Sequence, residues 1–177
     1  MKIEIRVPKE MKMKEKFIKD IEEKLSVKID LKNYNILEVE TNEWYNILRI
    51  KEIINALIFG FDENECRKLL KEDYCFQVIE IKKYLKNREN RDRLKELKGR
   101  IIGRNGKVKR NIEKLTNSKI SIYRNLVGII TDEENSIVAR RAIEMLLEGK
   151  EHSTVYSFLN REIQRKNYRF KNLKSNI

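Results

Sequence analysis

The chain of 177 residues contains few of the residues that mark several protein classes. It has two cysteines, one histidine, one proline and six glycines. Two cysteines cannot build a disulfide framework, so we expect a protein of the reducing cytoplasm. No apolar run approaches the roughly 20 residues that a transmembrane helix needs, and charged residues interrupt the apolar positions of the first segment, which is unlike a secretory signal. We therefore expect neither a membrane-spanning protein nor a disulfide-stapled one.

Residues in arrangements typical of catalytic or metal sites are also scarce. The single histidine, His152, and the cysteines at 66 and 75 do not have the spacing of zinc ligands. The acidic run Asp132–Glu134 suits the start of a helix better than a metal-dependent nuclease, and no serine or cysteine has a plausible paired base. We expect a protein without an active site, metal or cofactor, in which His152 fixes a turn or contacts a partner.

Positive charge is present in excess, and the excess is confined to one half of the chain. There are 40 Lys and Arg residues against 28 Asp and Glu, which gives a net charge of +12. Residues 1–72 hold 15 residues of each sign, whereas residues 73–177 hold 25 basic and 13 acidic ones. Between Lys82 and Arg124 there are 16 basic and 4 acidic residues. A polyanion is the natural partner of such a charge distribution.

An internal repeat organises the chain. A shift of 91 residues aligns Ile21 with Ile112 and Glu22 with Glu113. Apolar residues alternate with period two in the predicted strands and recur every three to four positions in the predicted helices. Each copy contains a strand, a helix, two strands and a long helix. These are Lys2–Val7, Met11–Leu25, Val27–Leu31, Ile36–Glu40 and Glu43–Phe59 in copy one, and Cys75–Ile81, Lys107–Thr116, Lys119–Tyr123, Val127–Thr131 and Glu133–Glu148 in copy two.

The two copies predict an α+β fold of two modules, each a small antiparallel sheet covered by helices on one face. We divide the chain into a first module at 1–60, a helical linker at 61–73 and a second module with a closing helix at 74–177. The linker helix is Asp62–Lys71, the closing helix is Ser153–Arg165, and the tail from Lys166 is expected to be loose. Thr131 is expected to open a capping box and Gly149 to stop the last long helix.

Helical periodicity also predicts which side chains of the two long helices face the core. In copy one these are Trp44, Ile47, Leu48, Ile54, Leu57 and Ile58, and in copy two they are Ile137, Val138, Ala142, Met145 and Leu146.

The segment with the most specific chemistry is Gly99-Arg-Ile-Ile-Gly-Arg-Asn-Gly-Lys107. Glycines at 103 and 106 enclose Arg104 and Asn105 just before a predicted helix. Because no side chain protrudes at a glycine, a sugar-phosphate backbone can approach the main chain there, and the amides of a helix N-terminus favour anions. This is the G-x-x-G pattern of a KH domain, which clamps about four nucleotides. Ile101 stands where both the P-loop pattern G-x-x-x-x-G-K-[ST] and the dinucleotide-binding pattern G-x-G-x-x-G require a glycine. A plain turn between two helices remains the alternative.

Candidate RNA-binding residues of three kinds surround this loop. Cations supply charge, isoleucines line a shallow apolar groove for bases, and Tyr123 with Arg124 stacks on a base. The groove candidates are Ile102, Ile112, Ile120 and Ile122, for which core packing is the alternative and is favoured for Ile112. The full predicted set is Arg100, Ile101, Ile102, Gly103, Arg104, Asn105, Gly106, Lys107, Lys109, Arg110, Ile120, Tyr123 and Arg124.

The first copy lacks this loop. The shift places Lys12 opposite Gly103 and Glu15 opposite Gly106. Copy one is also too short at this point to hold the helix that precedes the glycines in copy two. We expect a degenerate, neutral KH-like module with a structural or protein-contact role. Its candidate contact residues are Trp44, Tyr45 and Phe61, with core packing favoured for Trp44.

The segments Gly99–Lys107, Leu126–Thr131 and Glu148–Leu159 resemble the archaeal Dim-two/Partner-of-Nob family of tandem KH-domain ribosome-assembly proteins. The resemblance covers most of residues 60–165. It implies two type I KH modules (βααββα) and binding of single-stranded RNA near the 3′ end of small-subunit ribosomal RNA. It further implies the Nob endonuclease and the alpha subunit of translation initiation factor two as partners. The first module departs from the family, whose members usually keep a G-x-x-G-like loop there.

Three functions follow from the residues and the resemblance. We favour an RNA-binding assembly factor without catalysis, because both glycines are present with dense basic flanks. The alternatives are a protein-interaction adaptor on a retained KH fold and a general binder of single-stranded messenger RNA or DNA. Only the resemblance separates ribosomal specificity from general single-strand binding.

Overall fold

A computed structural model of the protein describes residues 1–9, 11–32, 35–87 and 90–174. The chain divides into two units, Met1–Phe76 and Gln77–Ile177. Among the described residues, no helix combines the length and the apolar character that crossing a bilayer demands.

The first unit is built on a three-stranded antiparallel sheet. Its elements are β1 (Lys2–Arg6), α1 (Glu15–Leu25), β2 (Lys28–Lys32), β3 (Ile36–Glu40), α2 (Trp44–Ile58) and α3 (Glu63–Cys66), followed by a 3-10 turn at Arg67–Leu70. The strand order is β1-β3-β2, so β3 is central and pairs through Leu37 with Ile5 on one side and Leu31 on the other. Leu37 is buried together with Phe17 of α1 and Ile50 of α2, and these side chains belong to the core of the first unit.

The second unit has the same strand order, β4-β6-β5. Its elements are β4 (Tyr74–Glu80, whose first three residues precede the boundary between the units), α4 (Arg91–Ile102), α5 (Lys107–Leu115), β5 (Lys119–Tyr123), β6 (Leu126–Asp132), α6 (Glu133–Leu147) and α7 (His152–Lys174), with 3-10 turns at Ile81–Tyr84 and Arg104–Gly106. One hydrophobic core holds it together. Its members include Ile79, Leu97, Ile101, Ile112, Ile120, Ile129, Ile143, Val155 and Leu159.

The same hydrogen bond occurs once within each unit, and the two bonds are separated by the 91-residue spacing of the sequence repeat. In the first unit the carboxylate of Glu22 accepts the N–H of Ile29 at 2.9 Å, and in the second the carboxylate of Glu113 accepts the N–H of Ile120 at 2.8 Å. Both glutamates lie on the helix before an edge strand, and 91 residues separate them. The sequence repeat is therefore also a structural repeat.

The helix ends repeat as well. Ser26 after α1 and Asn117 after α5 have φ of +51° and +48°, the left-handed conformation that closes a helix. Gly60 after α2 and Gly149 after α6 have φ of +85° and +90°. In each case the next residue donates its N–H to a carbonyl five residues back, at 3.2 and 2.9 Å. The stop predicted at Gly149 is confirmed.

The buried side chains of α2 agree only in part with those predicted from helical periodicity. Ile47 and Ile54 are buried as predicted, but Trp44 is 67% exposed and Leu48 is 50% exposed. The buried stripe is centred on Ile47, Ile50 and Ile54, and the two exposed side chains lie outside it. The prediction of core packing for Trp44 is wrong.

The start of α6 also differs from the prediction. Ile137 is 77% exposed, whereas Ser136 is buried in its place. A buried serine is tolerated because its hydroxyl donates to the carbonyl of Glu133 at 2.7 Å. The residue that caps the helix is Asp132, whose carboxylate accepts the N–H of Asn135 at 2.9 Å, rather than Thr131.

Residues 61–73, which the sequence suggested as a linker, pack within the first unit. Cys66 and Leu69 are fully buried. Nε of Arg67 donates a hydrogen bond to the carboxylate of Asp20 on α1 at 2.7 Å, and the Arg67 guanidinium lies 5.1 Å from the ring centre of Phe17. A capping box formed by Asp62 and Glu65 opens α3.

The basic tail was expected to be loose from Lys166, but α7 continues to Lys174. Its sequence lacks apolar periodicity, yet it contains neither glycine nor proline, so nothing in it stops a helix. Residues 175–177 of the predicted tail lie outside the described residues.

The buried thiol of Cys66 should be chemically inert. Burial, reinforced by the carboxylates of Glu65, Asp62 and Glu63, raises the pKa of the Cys66 thiol to about 12. The reactive thiolate is therefore almost absent at neutral pH. In a Cys75→Ser variant, we expect Cys66 to react with a disulfide reagent at least about ten times more slowly in the native protein than in denaturant. Equal rates in the two conditions would contradict this burial.

Candidate nucleic-acid interface

The G-x-x-G loop lies between α4 and α5 and has an unusual backbone. Gly103 (φ +71°, ψ 172°) ends α4, and a short 3-10 turn leads through Asn105 to Gly106, which caps α5. Three of the four loop residues, Gly103, Asn105 and Gly106, have positive φ. Glycine and asparagine are the residues that adopt this conformation at least cost. Arg104 and Asn105 are exposed at the tip.

The two glycines of the loop are needed for different reasons. A Cβ at Gly103 would lie 2.3 Å from Cγ2 of Val108 and 2.9 Å from its backbone nitrogen. A Cβ at Gly106 would meet only the flexible guanidinium of Arg110, at 2.9 Å. Val108 thus fills the side of Gly103 on which a Cβ would lie and closes the turn. The approach of a nucleic acid to the main chain at Gly103 stays a prediction.

Cations surround the tip. Arg104 lies on the loop, and Lys107 and Arg110 are exposed on the first turn of α5. Lys114 is also exposed one turn further along the same face of α5, since residues at i, i+3 and i+7 share a face. Lys109 is half-buried and lies 3.6 Å from Glu113. Lys114 is not among the residues predicted from the sequence, although its helical spacing from Lys107 places it on the same face.

Arg100 has a different environment from the other predicted cations. Its guanidinium donates to the backbone carbonyls of Leu146 and Lys150. The structure thus turns this side chain toward the protein and not toward the loop tip. His152, expected to fix a turn or contact a partner, lies with Nε2 3.0 Å from the carbonyl oxygen of Arg100.

The predicted isoleucines divide into core and surface residues. Ile101 and Ile112 are 0% exposed and Ile120 is 2% exposed, all within the core of the second unit. Core packing, the alternative considered from the sequence for Ile120 and favoured for Ile112, therefore accounts for both residues. Ile101, predicted only as an RNA contact, is also a core residue, so the expectation that Ile101 and Ile120 contact RNA is corrected. Ile102, next to the loop, is 40% exposed, and Ile122 is half-buried.

Tyr123 and Arg124 form a local pair at the hairpin between β5 and β6. The guanidinium of Arg124 lies 5.3 Å from the ring centre of Tyr123. Arg124 is exposed and has φ of +52°, a conformation that few arginines adopt. The structure therefore places the cation of Arg124 against the ring of Tyr123.

The acidic residues considered for metal binding have a structural role at α6, which Asp132 caps. Across the described part of the chain, no three His, Cys, Asp or Glu side chains converge on a position that would hold a metal ion.

The second unit matches a known domain family. Residues 75–164 match the sequence profile of the second KH domain of Pno1, described as a eukaryotic-type KH domain (KH-domain type I). The chain belongs to the archaeal Dim2/Pno1 family. This confirms the resemblance to the Dim-two/Partner-of-Nob proteins and places the Dim2/Pno1 KH domain on the second unit.

Relatives in the Dim2/Pno1 family span archaea and eukaryotes. A KH domain-containing protein of Methanocaldococcus jannaschii is 33% identical over 151 residues, which cover 83% of this chain and 65% of that protein. The RNA-binding protein pno-1 of Caenorhabditis elegans is 28% identical over 76% of this chain and 50% of its own length. The pre-rRNA-processing protein pno1 of Aspergillus oryzae is 26% identical over 83% and 58%. The chain thus spans about half to two thirds of the length of these relatives.

Solved structures share the fold over almost the whole chain. A 1.5 Å crystal structure of an Aeropyrum pernix protein of unknown function is 31% identical, with a TM-score of 0.81 over 99% of this chain and 96% of that one. Dim2p in the a/eIF2alpha-aDim2p-rRNA complex of Pyrococcus horikoshii is 24% identical, with a TM-score of 0.76 over 93% of this chain and 95% of that one. The latter likeness establishes a common fold.

Proposed function

We propose that this Dim2/Pno1 protein binds single-stranded RNA and acts, without catalysis, in assembly of the small ribosomal subunit in the cytoplasm. The observation that carries the proposal is the exposed Arg104-Asn105 tip, held between two glycines at the start of α5 in the basic half of the chain. Relatives named as RNA-binding and pre-rRNA-processing proteins support it, as does a solved relative in complex with rRNA.

The proposed contact has two parts. Arg104, Lys107 and Arg110 neutralise phosphates beside the amides at the N-terminus of α5, which also favour anions. Ile102 offers the exposed apolar surface beside the loop on which a base lies, and Arg124 with Tyr123 provides a stacking surface. Ile101, Ile112 and Ile120 support this surface from the core.

The first unit is proposed to be a degenerate type I KH module. Its strand order and helix ends repeat those of the second unit, but it has no glycine loop. At the start of α1, the N–H of Lys14 donates to the carboxylate of Glu63 at 2.8 Å. A protein carboxylate thus occupies the helix N-terminus that the second unit offers to a phosphate, which argues against RNA binding there.

Internal ion pairing in the first unit supports the same conclusion. Glu38, on the central strand, lies 2.6 Å from Lys2 and also pairs with Lys32. Hydrogen bonds and charge from these two lysines lower the pKa of the Glu38 carboxyl, so it remains an anion that holds both cations. The exposed Trp44, Tyr45 and Leu48 favour a protein partner for this unit. The proposed protein partners of the chain are the Nob endonuclease and the alpha subunit of translation initiation factor two.

Salt should weaken RNA binding strongly if the basic loop makes the contact. With four to six phosphates neutralised on a single strand, each doubling of the salt concentration is expected to lower affinity about seven- to twentyfold. The measurement is fluorescence anisotropy of a labelled oligoribonucleotide at several KCl concentrations. An affinity independent of salt would contradict a phosphate contact.

The experiment that tests the proposed function is crosslinking in cells followed by sequencing of the attached RNA. We expect reads concentrated near the 3′ end of the small-subunit ribosomal RNA precursor. Reads spread over messenger RNAs would favour the general single-strand binder, and an absence of crosslinked RNA with retained protein partners would favour the adaptor.

A further inference from the structure

Contacts in two directions tie the end of α4 to the turn between α6 and α7. The Arg100 guanidinium on α4 donates through Nε to the carbonyl of Leu146 at 3.1 Å and through Nη2 to the carbonyl of Lys150. In return, Nε2 of His152, the first residue of α7, lies 3.0 Å from the carbonyl oxygen of Arg100. We call Arg100 and His152 the clasp.

The histidine half of the clasp satisfies a carbonyl that α4 leaves open. Because Gly103 departs from helical conformation, the chain beyond it does not supply the amide that a continuing helix would give to the Arg100 carbonyl. A carbonyl only accepts, so Nε2 of His152 carries the hydrogen in this bond. The single histidine of the chain therefore caps the helix that leads into the loop.

The arginine half of the clasp places a cation at the end of α6. Leu146 belongs to the last turn of that helix, and Lys150 follows Gly149, where the chain reverses. Carbonyls at a helix C-terminus favour positively charged donors. The guanidinium of Arg100 is thus committed to two protein carbonyls that lie 46 and 50 residues away in sequence.

We infer that Arg100 and His152 are positioning residues, which hold the last turn of α4 so that the loop at 103–106 keeps its RNA-gripping conformation, and that neither touches RNA. This inference rests on the proposed function of the loop. Arg100 lies three residues before Gly103, so a displacement of its backbone passes directly into the loop. A loop held in its binding conformation in advance loses less entropy on binding and so binds more tightly.

Substitution of His152 tests the first half of the clasp. His152→Ala removes one hydrogen bond and is expected to weaken binding of a labelled oligoribonucleotide about three- to tenfold. Because no phosphate contact is lost, the dependence of affinity on salt should keep its slope. Amide exchange at residues 103–106 should become faster. His152→Gln restores an N–H donor of similar reach and should recover most of the affinity.

Substitution of Arg100 by lysine tests the second half. Lysine keeps the charge but cannot reproduce the forked contact with two carbonyls, so Arg100→Lys should also weaken binding several-fold at unchanged salt slope. Arg93→Lys is the matched control, since it makes the same replacement on the exposed face of the same helix. It should bind as the unaltered protein does.

The outcomes separate the clasp from the proposed function. Unaltered affinity and amide exchange in both His152→Ala and Arg100→Lys would overturn the clasp, while RNA binding by the unaltered protein would keep the proposed function. The clasp would also be overturned if Arg100→Ala reduced the dependence of RNA affinity on salt while Arg100→Lys kept full affinity. That result would show that Arg100 contacts a phosphate directly. If the unaltered protein fails to bind RNA, the proposed function itself fails. Should His152→Ala unfold, His152→Gln and Arg100→Lys carry the test.

Discussion

Replacing Arg104 and Asn105 together with aspartate is expected to weaken RNA binding by at least about a hundredfold, or ~2.7 kcal/mol. The change removes one cation and adds two anions where the phosphates are proposed to lie. The fold should be unaffected because both side chains are exposed. Asn105 has φ of +52°, and aspartate is among the few residues that accept this conformation. Anisotropy titration with a labelled oligoribonucleotide measures the loss, and circular dichroism checks the fold.

A matched control for this variant is available on α7. Asn160 and Arg161 are adjacent and exposed, so Asn160→Asp with Arg161→Asp makes the same change in composition and net charge away from the loop. We expect this control to lose far less affinity, through long-range electrostatics alone. Equal losses in the two variants would show that total charge, and not the loop, determines binding.

Gly103→Ala is expected to destabilise the second unit and to abolish RNA binding. Its Cβ would enter the space of Val108 at 2.3 Å, and φ of +71° adds strain for any residue with a Cβ. Together these effects are expected to cost about 2–4 kcal/mol in the free energy of unfolding. For a unit of this size the melting temperature should fall by ~10 °C or more. Thermal unfolding followed by circular dichroism measures this shift.

Two other glycines are controls for the same substitution. Gly106→Ala meets only a movable arginine side chain, so it should cost about 1 kcal/mol for its positive φ alone. Gly99 lies within α4, and apart from its two chain neighbours and the backbone of its own helix no described atom comes within 4 Å of a Cβ placed there. Gly99→Ala should therefore stabilise the helix by about 0.5–1 kcal/mol. A similar loss of stability at all three positions would contradict the role assigned to Val108.

Local patterns were sufficient to predict most of the fold. Period-two alternation located the strands, and a shift of 91 residues revealed the repeat that the hydrogen bonds of Glu22 and Glu113 later showed. Errors arose where burial depends on tertiary neighbours. Ser136 is buried while Ile137 is exposed, and the Ser136 hydroxyl bonds a carbonyl of its own helix, an arrangement that hydrophobicity alone does not reveal.

The candidate site was predictable in position but not in detail. The glycine spacing and the charge located the loop, because both are local in sequence. Whether Ile101 or Ile102 faces the core depends on the rotation of α4 against its neighbours, and the sequence does not specify that rotation. The role of Arg100 was also hidden, since its partners lie 46 or more residues further along the chain.

The bonds from Glu22 to Ile29 and from Glu113 to Ile120 have a consequence for self-association. β2 and β5 are edge strands of their sheets, and edge strands with unsatisfied amides can pair with strands of other molecules. In each unit a helix carboxylate takes one such amide and places a negative charge beside the edge. The duplicated glutamate is thus expected to make strand addition at β2 and at β5 less favourable.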